Sequence, residues 1–557
     1  MSVPVLQENL LPPSLREVLR RRGFETPERL SALLAPALSQ LQMPERFPQM
    51  VQAVDRLRGA LKQEQPIAIY ADRDVDGLTG LAILARTLRT LGGSVHWGSP
   101  LKGRGLAHDV LQDLAAQGSK ILILVDCGSG EEAELAWLAA QGIDVIIADH
   151  HRLPENRPEV FAWIHPGVME GESEEEPSGC VMAFKLAQAL WLSFLGSNDP
   201  GRMDYFLFDH LDLLSLGILA DRMPLTGENR IFVWHGLRRL AQTRKVGLAA
   251  LLRFFRLTPR SGPITVREAT WQLIPLMNAA GRLGQPQWAT QLLMTEDALT
   301  ARDCIDHLIE LNTRRRDEQQ KSTDHFEKTV LEQCAVETDP VLVVMAEDLE
   351  PSVTGLAAQS LVQTYGRPAF LFVAQGEEVV GSARGTPEID LYAWVEAQKE
   401  LLLKFGGHHG AVGMTLRRSD YALFRERLLV MAQQGSCREG EIAPEAEARV
   451  TLREINDTWW EQLKRLEPFG PGFPSPVFEI SGVQEITALT KPRTVKLVDV
   501  KVAGPGAALL AEFEKLDVQT RVLQGEGPWR VIGYPKDTRK SESNMKWMIQ
   551  EVEADHG

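Results

Sequence analysis

The feature that most constrains the fold is an alternation of short apolar runs with helical stretches between residues 51 and 148. The runs predicted as strands are, in chain order, PIAIYA, VHWGS, KILILVD and DVIIAD. Between them lie LTGLAILARTLRTLGG, HDVLQDLAAQG and EEAELAWLAAQG, which have helical length and periodicity. Strands and helices that alternate with short connections predict a mostly parallel sheet covered by helices on both faces.

Acidic side chains and imidazoles follow these apolar runs at the points where the runs end, and another acid follows the apolar run LLSLGILA. Ligands of such sheets bind outside the carboxyl ends of the strands, so we expect these side chains to line one site. In chain order they are Asp72, Asp74, Asp76, Asp126, Asp149, His150, His151 and Asp221.

Taken singly, each of these residues has an ordinary structural explanation. One Asp after a strand is more often a helix N-cap or turn residue than a ligand. Three alternating aspartates, Asp72, Asp74 and Asp76, repel one another unless a cation neutralises them. Carboxylates with imidazole and no ordered cysteine set favour Mn²⁺ or Mg²⁺ over structural zinc. The joint pattern predicts a two-metal site suited to displacement at phosphorus.

Composition limits the class of protein but leaves the partner open. The 557 residues suggest roughly three to five domains. The five cysteines form no CxxC pair, which favours a reducing cytoplasm, and neither a signal core nor a membrane-spanning segment is predicted. The net charge of −15 counts against a nucleic-acid partner when taken alone. Metal sites need acids, however, and a basic groove can coexist with an acidic exterior.

The remainder of the chain is predicted to alternate between helical and mixed segments. Residues 180–258 are helical, and residues 297–336 lack Gly and Pro, which predicts one long polar helix. A second α/β block starts at PVLVVMA, with strands at AFLFVA and EVVGSAR and helices around 353–365, 390–404 and 418–434. Residues 475–553 contain β-like runs that predict a small antiparallel barrel or sandwich.

The ordered motifs DRDVDG, VDCG, ADHH and LGILAD resemble the four motifs of the DHH phosphoesterase superfamily. PLMNAAGRLG, GSAR, KFGGHHGAVG and LEPFGPGFPSPVF are similar to further landmarks of its RecJ branch. That branch consists of single-stranded-DNA-specific exonucleases that release nucleotides from the 5′ end. The resemblance runs from about residue 50 to the C-terminus and implies a role in DNA repair and recombination.

The resemblance implies an α/β fold class with several domains. These are a parallel-sheet DHH domain, a long linking helix, a second α/β DHH-associated domain and a C-terminal OB-like β-barrel. The expected boundaries are 1–50 for an N-terminal helical lead-in, 51–296 for the DHH catalytic domain, 297–337 for the connecting helix, 338–440 for the substrate-binding domain and 441–557 for the OB-like domain.

The resemblance also assigns roles at the metal site. It implies two divalent ions, Mn²⁺ or Mg²⁺, and hydrolysis by an activated water without a covalent enzyme intermediate. Asp72 and Asp149 are expected to be ligands or groups that orient the ligands, Asp126 to bridge the ions and His151 to face the scissile phosphate. The implied ligands are Asp74, Asp76, Asp126, His150 and Asp221.

A second set of residues is implied to contact the substrate, with Ser382 and Arg384 forming a pocket for a 5′ phosphate. The glycines of GGHHGAVG are expected to let the backbone approach phosphate, although that stretch alone equally predicts a tight turn. Trp529 and Trp547 are candidates either for base stacking or for the core of the barrel. The whole set is Asn278, Arg282, Ser382, Arg384, Gly406, Gly407, His408 and His409.

The chain departs from the family pattern at positions on the substrate side. Tyr70 stands where many members have a metal-binding His, and Lys102 or Arg104 replaces the usual Arg of a GYGL segment. The remaining departures are Leu276, Glu350 and Ala383. Two alternatives therefore stay open: a phosphodiesterase for short oligonucleotides or cyclic dinucleotides, and a non-catalytic, replication-associated DNA-binding relative. The expected partner is single-stranded DNA, with a single-strand-binding protein or a helicase as further candidates.

Overall fold

A computed structural model of the chain divides into two compact units, one comprising Met1–Asn312 with Pro444–Gly557 and the other Thr313–Ala443. None of the helices described is long and apolar enough to cross a membrane. The structure describes residues 11–101, 103, 105–169, 176–194, 200–257, 262–336, 338–347, 349, 351–386, 389–434, 445–483, 485–488, 494–498, 508–513, 529–537 and 545–554.

The first sheet has five strands in the order β2-β1-β3-β4-β5, and all its pairs are parallel. β1 and β3 are buried along their whole length, as expected for apolar strands with helices on both faces. Four strands were predicted; the fifth, three residues long, was not. The strands are β1 Ile67–Ala71, β2 Val95–Gly98, β3 Ile121–Val125, β4 Asp144–Ala148 and β5 Ala162–Ile164.

The helices of this unit cover the sheet and extend its core. α4 and α7 are buried over most of their surface, because their apolar residues face all directions rather than one stripe. The helices preceding the long connecting helix are α1 Pro13–Arg21, α2 Pro27–Leu34, α3 Met50–Lys62, α4 Val75–Thr90, α5 His108–Ala116, α6 Glu132–Ala140, α7 Gly179–Phe194, α8 Pro200–Ala220, α9 Gly227–Leu240, α10 Val246–Phe254, α11 Val266–Glu268, α12 Ile274–Arg282 and α13 Gln287–Met294.

The predicted long polar helix is α14, Ala298–Gln333, which runs from the first unit into the second. The second unit has a five-stranded sheet in the order β6-β7-β8-β10-β9, in which only the β6–β7 pair is parallel. Its elements are β6 Leu342–Ala346, α15 Thr354–Tyr365, β7 Ala369–Gln375, β8 Glu378–Arg384, α16 Leu391–Glu396, β9 Leu402–His408, β10 Ala411–Arg417 and α17 Tyr421–Gln434.

The helix predicted around 390–404 is shorter than expected. α16 ends at Glu396, and β9 begins at Leu402 because the KFGGH stretch pairs in antiparallel register with β10. GGHHGAVG is therefore a hairpin, with His409 and Gly410 at its turn. Gly407 has a φ of +149°, and a Cβ there would overlap the backbone of Ala411, so this position requires glycine.

The C-terminal region returns to the first unit as a seven-stranded sheet in the order β11-β12-β16-β17-β15-β14-β13. The β11–β12 and β15–β17 pairs are parallel and the others antiparallel, so the predicted β-domain is present. Its elements are β11 Ala448–Thr451, α18 Asp457–Lys464, β12 Phe478–Val483, β13 Glu485–Ala488, β14 Thr494–Val498, β15 Ala508–Phe513, β16 Trp529–Asp537 and β17 Met545–Ala554.

The N-terminal helices α1 and α2 share a hydrophobic core with this C-terminal sheet. Ser14 Oγ donates to Glu454 Oε1 at 2.5 Å and accepts from Trp459 Nε1 at 2.9 Å. Arg22 pairs with Glu447 at 2.5 Å. Residues 13–34 therefore pack as part of the C-terminal β-domain.

Candidate metal centre

Parallel register brings the acidic residues to one edge of the first sheet. Ala71 pairs with Val125, and Val125 pairs with Ala148, so β1, β3 and β4 end at the same level. The backbone continues this pairing by one residue, since Asp72 N donates to Val125 O at 3.1 Å and Asp126 N donates to Ala148 O at 3.0 Å. The side chains that follow the three strands consequently meet, as the sequence predicted.

The first motif forms the start of α4. Asp74 caps the helix, since its Oδ1 accepts from Asp76 N at 3.0 Å and from Gly77 N at 3.2 Å. Asn278, on α12, accepts from Val75 N at 2.9 Å and satisfies another amide of the first turn. Asn278 was predicted to contact substrate; in the structure its side-chain oxygen holds the loop that carries the acids.

Asp76 links the first motif to the start of α7. Its carboxylate accepts from Gly179 N at 2.7 Å and from Cys180 N at 3.1 Å. The positive end of the α7 dipole therefore lies on this acid. A Cβ on Gly179 would lie 2.5 Å from Asp126 Cβ and 2.6 Å from Asp126 Oδ1. Only glycine lets α7 begin this close to the acids, and sequence reasoning missed this requirement.

Asp126 lies at the centre of the cluster. Its backbone is left-handed, with a φ of +59°, which is unusual for a residue other than glycine. The side chain is 3% exposed, and its Oδ1 lies 3.2 Å from His150 Nε2. The same nitrogen lies 3.4 Å from Asp221 Oδ2, so one imidazole bridges two acids that are far apart in sequence.

Asp149 is buried, and its carboxylate orients its neighbours. Its Oδ1 accepts from the backbone amide of His150 at 2.8 Å and lies 2.8 Å from His151 Nδ1, and its Oδ2 accepts from Ser129 Oγ at 2.5 Å. Burial works against the charged form, but the hydrogen bonds from His151 and Ser129 hold the pKa of Asp149 well below its usual range. The carboxylate is therefore ionised and fixes Nδ1 of His151 as the protonated nitrogen.

His151 is 55% exposed, in contrast to its buried neighbours Asp149 and Asp126. Its backbone carbonyl accepts from His165 Nε2 at 2.8 Å, and His165 Nδ1 accepts from Gly167 N at 2.9 Å. Both ring nitrogens of the buried His165 are thus occupied, which fixes its tautomer and the position of His151. His165 follows β5, the strand that was not predicted.

The charge distribution favours a bound cation. Burial, followed by the charges of Asp76, Asp74, Asp149 and Asp221, raises the pKa of Asp126 well above its usual range. Among the described residues, Asp126 Oδ1 has no hydrogen-bond donor. Burial also lowers the pKa of His150, which keeps the imidazole in the neutral form that binds metal. A buried carboxylate without a donor among like charges fits a site for divalent ions.

The potential ligand atoms fall into three overlapping groups, and within each group the atoms lie within 4.8 Å of one another. Asp126 belongs to two of the groups, and His150 also belongs to two. The groups are Asp72, Asp74 and Asp126; Asp76, His150 and Asp221; and Asp126, Asp149, His150 and His151. All the metal-site residues predicted from the sequence are thus brought together.

The position of Tyr70 explains one departure from the family pattern. Tyr70 is fully buried, donates to Gly105 O at 2.9 Å and accepts from Ala107 N at 2.8 Å. It therefore holds the loop after β2 and offers no imidazole to the site. Three departures, Lys102, Arg104 and Glu350, lie outside the described residues.

The predicted substrate residues are divided between the two units. Arg282 ends α12 in the first unit beside the first motif, where Gly281 packs on the carbonyl of Arg73. The other predicted residues belong to the second unit. Trp529 is 9% exposed and Trp547 is fully buried, so both belong to the core of the β-domain. The six residues of the second unit are Ser382, Arg384, Gly406, Gly407, His408 and His409.

Ser382 and Arg384 lie on one face of β8, beside the start of α15. Thr354 Oγ1 donates to Ser382 Oγ at 2.9 Å, and a Cβ on Gly355 would lie 3.0 Å from Arg384 Nη2. Burial lowers the pKa of Arg384, which is partly buried. A hydroxyl, a guanidinium and the amide end of a helix therefore converge, which is an arrangement that attracts anions.

Comparison with known families matches three consecutive parts of the chain. The DHH family N-terminal domain matches residues 66–218, the DHHA1 domain residues 338–431 and the RecJ OB domain residues 446–506. The single-stranded-DNA-specific exonuclease RecJ of Bacillus subtilis is 31% identical over 482 residues, which cover 85% of this chain. The chain spans only 59% of the length of that relative.

Solved structures give the same result. The crystal structure of RecJ in complex with Mn²⁺ from Thermus thermophilus matches with a TM-score of 0.75 and 26% identity, covering 98% of this chain and 76% of that one. The structure of exonuclease RecJ bound to manganese matches with a TM-score of 0.56 and 31% identity, covering 72% of this chain and 97% of that one. The ordered motifs, the acidic edge of the parallel sheet and these matches agree, and the chain belongs to the RecJ family of DHH proteins.

Proposed function

We propose that this protein is a metal-dependent nuclease that degrades single-stranded DNA from its 5′ end. The observation that carries the proposal is the buried Asp126, whose Oδ1 lies 3.2 Å from His150 and among four further acids. Such a cluster is unfavourable without cations and costs stability that a purely structural site would not retain. The Bacillus subtilis relative is a single-stranded-DNA-specific exonuclease, and the two similar RecJ structures were solved with manganese.

Two divalent ions, Mn²⁺ or Mg²⁺, fit the donor set. Asp76, His150 and Asp221 would hold one ion and Asp72, Asp74 and Asp126 the other. Asp126, whose Oδ1 lies 3.2 Å from His150 Nε2, would serve both ions. When bound, a pair of such ions supplies charge stabilisation at the phosphate and a water of lowered pKa. Asp76 keeps its orientation through the Gly179 and Cys180 amides, so its role does not depend on the ions alone.

His151 is assigned to the scissile phosphate. The ionised Asp149 accepts a hydrogen bond from Nδ1–H of His151 and so holds the imidazole ring, which is more than half exposed. Nε2 then faces the substrate side, where it can hold a phosphate oxygen or pass a proton to the leaving oxygen. Asp149 and Ser129 act through His151 and position it.

The second unit is assigned to the 5′ end of the strand. Arg384, Ser382 and the amide end of α15 together suit a terminal phosphate, because a guanidinium can contact two phosphate oxygens at once. The hairpin that carries Gly406, Gly407, His408 and His409 presents a glycine backbone to the same class of ligand.

The β-domain favours DNA strands over dinucleotides, since a small substrate needs no additional domain. The buried Trp529 and Trp547 are excluded as stacking residues, so contacts of that kind belong elsewhere. We extend the proposal to a cytoplasmic location, which the buried free cysteines Cys127 and Cys180 support, and to cooperation with a single-strand-binding protein or a helicase.

One assay with Mn²⁺ tests the proposal. Parent protein and Asp126→Ala are given 5′-labelled single-stranded DNA, blunt duplex and a short RNA of equal length. We expect the parent protein to release nucleotides rapidly from the single-stranded DNA, and Asp126→Ala to release none. Equal rates on single strand and duplex would refute the substrate assignment, preference for the RNA would favour an oligonucleotide phosphodiesterase, and no metal-dependent hydrolysis would refute the enzyme.

A further inference from the structure

The helical segment that leads into the metal centre contains an irregular turn. Residues 266–282 form one continuous helix in which Ala269–Leu273 adopt a π-turn between α11 and α12. Such a turn interrupts the regular hydrogen bonding of the helix and is frequent at functional sites. Trp271 lies on this turn and is 73% exposed, although a tryptophan normally stabilises a protein by being buried.

Trp271 belongs to one face of this helix. Arg267, Trp271, Pro275, Asn278 and Arg282 follow one another at intervals of three or four residues, the spacing of a single helical face. Each is exposed or partly exposed, while the residues between Trp271 and Arg282 on the opposite face are buried. We call these five residues the 267–282 face.

The inner end of the 267–282 face lies at the metal centre. Asn278 Oδ1 accepts from Val75 N at 2.9 Å, beside Asp74 and Asp76, and Gly281 packs on the carbonyl of Arg73. Trp271 lies further out along the same helix. At about 1.5 Å per residue it is roughly 16 Å from Arg282, the length of about five stacked nucleotides or fewer extended ones.

The charge of the segment is unusual for this chain. The protein carries 75 acidic residues and a net charge of −15, yet no acid occurs from Ala269 to Thr295. Glu268, the nearest acid, is used to cap the helix, since its carboxylate accepts from Thr265. The 267–282 face thus carries two arginines and an aromatic ring, and none of its five residues is acidic, which suits a polyanion that carries aromatic bases.

We propose that the 267–282 face is a track for single-stranded DNA, in which Trp271 stacks on a base within about five nucleotides of the metal centre. The inference rests on the proposed function and adds a binding residue to it. Arg267, one turn before the ring, and Arg282, at the inner end of the face, hold phosphates along the track. A tryptophan suits an enzyme that accepts any sequence, because every base has a face on which to stack.

The test compares Trp271→Ala and Trp271→Phe with Tyr205→Ala, which removes another exposed aromatic side chain from a different helix, α8. Binding is measured by fluorescence anisotropy with a labelled twelve-nucleotide strand, and KM is measured with the same strand and with a trinucleotide. We expect Trp271→Ala to weaken binding of the longer strand about 5- to 100-fold, with a smaller effect on the trinucleotide. Trp271→Phe should keep most of the binding, and Tyr205→Ala should match the parent.

Parental affinity of Trp271→Ala for the twelve-nucleotide strand would overturn the track, and so would an equal loss on both substrates. Equal losses in Trp271→Ala and Tyr205→Ala would also overturn it, since the effect would then be general. These outcomes are distinct from failure of the proposed function, in which the parent itself hydrolyses no single-stranded DNA. Thermal unfolding of each variant checks that a change in binding is not a change in stability.

Discussion

Gly179 offers the sharpest test of how the acidic cluster is assembled, through the substitution Gly179→Ala. The added methyl group would lie 2.5 Å from Asp126 Cβ and 2.6 Å from Asp126 Oδ1. Carbon atoms in favourable contact are about 3.5–4.0 Å apart, so α7 or Asp126 must move by about 1 Å. Asp76 moves with α7, because it accepts hydrogen bonds from Gly179 and Cys180.

The expected losses of metal affinity and of hydrolysis rate follow from that displacement. Disturbing groups that orient metal ligands typically lowers metal affinity about 10- to 100-fold, and a 1 Å misplacement of catalytic groups can lower the rate about 100-fold. Overpacking alone costs about 1–3 kcal/mol of unfolding free energy. We therefore expect Gly179→Ala to fold, to bind Mn²⁺ about 10- to 100-fold more weakly and to hydrolyse DNA about 100-fold more slowly.

The assay is a titration of metal-free protein with Mn²⁺, in which electron paramagnetic resonance detects the free ion. Gly59→Ala is the matched control, because Gly59 lies within α3 and a Cβ there meets nothing within 4 Å. That control should keep parental Mn²⁺ affinity and gain about 0.5–1 kcal/mol of unfolding free energy. Parental Mn²⁺ affinity in Gly179→Ala would refute the reasoning that close approach of α7 builds the site.

Three further substitutions test other parts of the structure. Arg384→Ala should lower the preference for 5′-phosphorylated over 5′-hydroxyl strands, measured as a ratio of kcat/KM, by about tenfold or more, and an unchanged ratio would contradict the phosphate pocket. Arg230→Met should cost about 1–3 kcal/mol in chemical denaturation, because the buried guanidinium donates to the carbonyls of Leu466 and Pro468, and an unchanged midpoint would contradict this role. Burial lowers the pKa of His210 well below the usual histidine value of 6.5, so the unfolded chain binds a proton that the folded chain does not. Stability should therefore fall as the pH drops below about 6.5, and His210→Gln, measured at about pH 5 and pH 7.5, should flatten this dependence.

The parallel sheet and its acidic edge could be predicted because both depend on local pattern. Each apolar run from Ile67 to Ala148 has the length and composition of a buried strand, and parallel strands place the residues that come after them on one edge. The acids at the site were therefore found without contact information. The chemistry of carboxylates beside His150 then predicted a divalent metal.

The supporting residues could not be found in this way, because they act through distant contacts. Gly179 reaches Asp76 across 103 residues, and Ser129 reaches Asp149 across 20. Nothing in the sequence around either residue distinguishes it from an ordinary helix start or turn. His165 follows a strand of three residues, too short to produce a recognisable pattern.

The helix predicted around 390–404 ends early, at Glu396, and a strand follows, also because of contacts that are distant in sequence. Leu402 to Lys404 suits either element, and the choice is decided by pairing of β9 with β10 across Gly406 and Gly413. Asn278 has a role that no local pattern reveals. Its side-chain oxygen accepts from Val75 N, while its predicted contact with substrate stays a prediction.

The packing of residues 13–34 against the C-terminal β-domain has a consequence for synthesis on the ribosome. Ser14 can accept its hydrogen bond from Trp459 only after Trp459 has been synthesised, 445 residues later. At roughly 5–20 residues per second the delay is between about 20 and 90 s, during which Leu15, Val18 and Leu19 have no core to enter. The nascent chain therefore exposes the apolar face of α1 until the β-domain has been made, so α1 and α2 complete their packing late and are exposed to chaperones in the meantime.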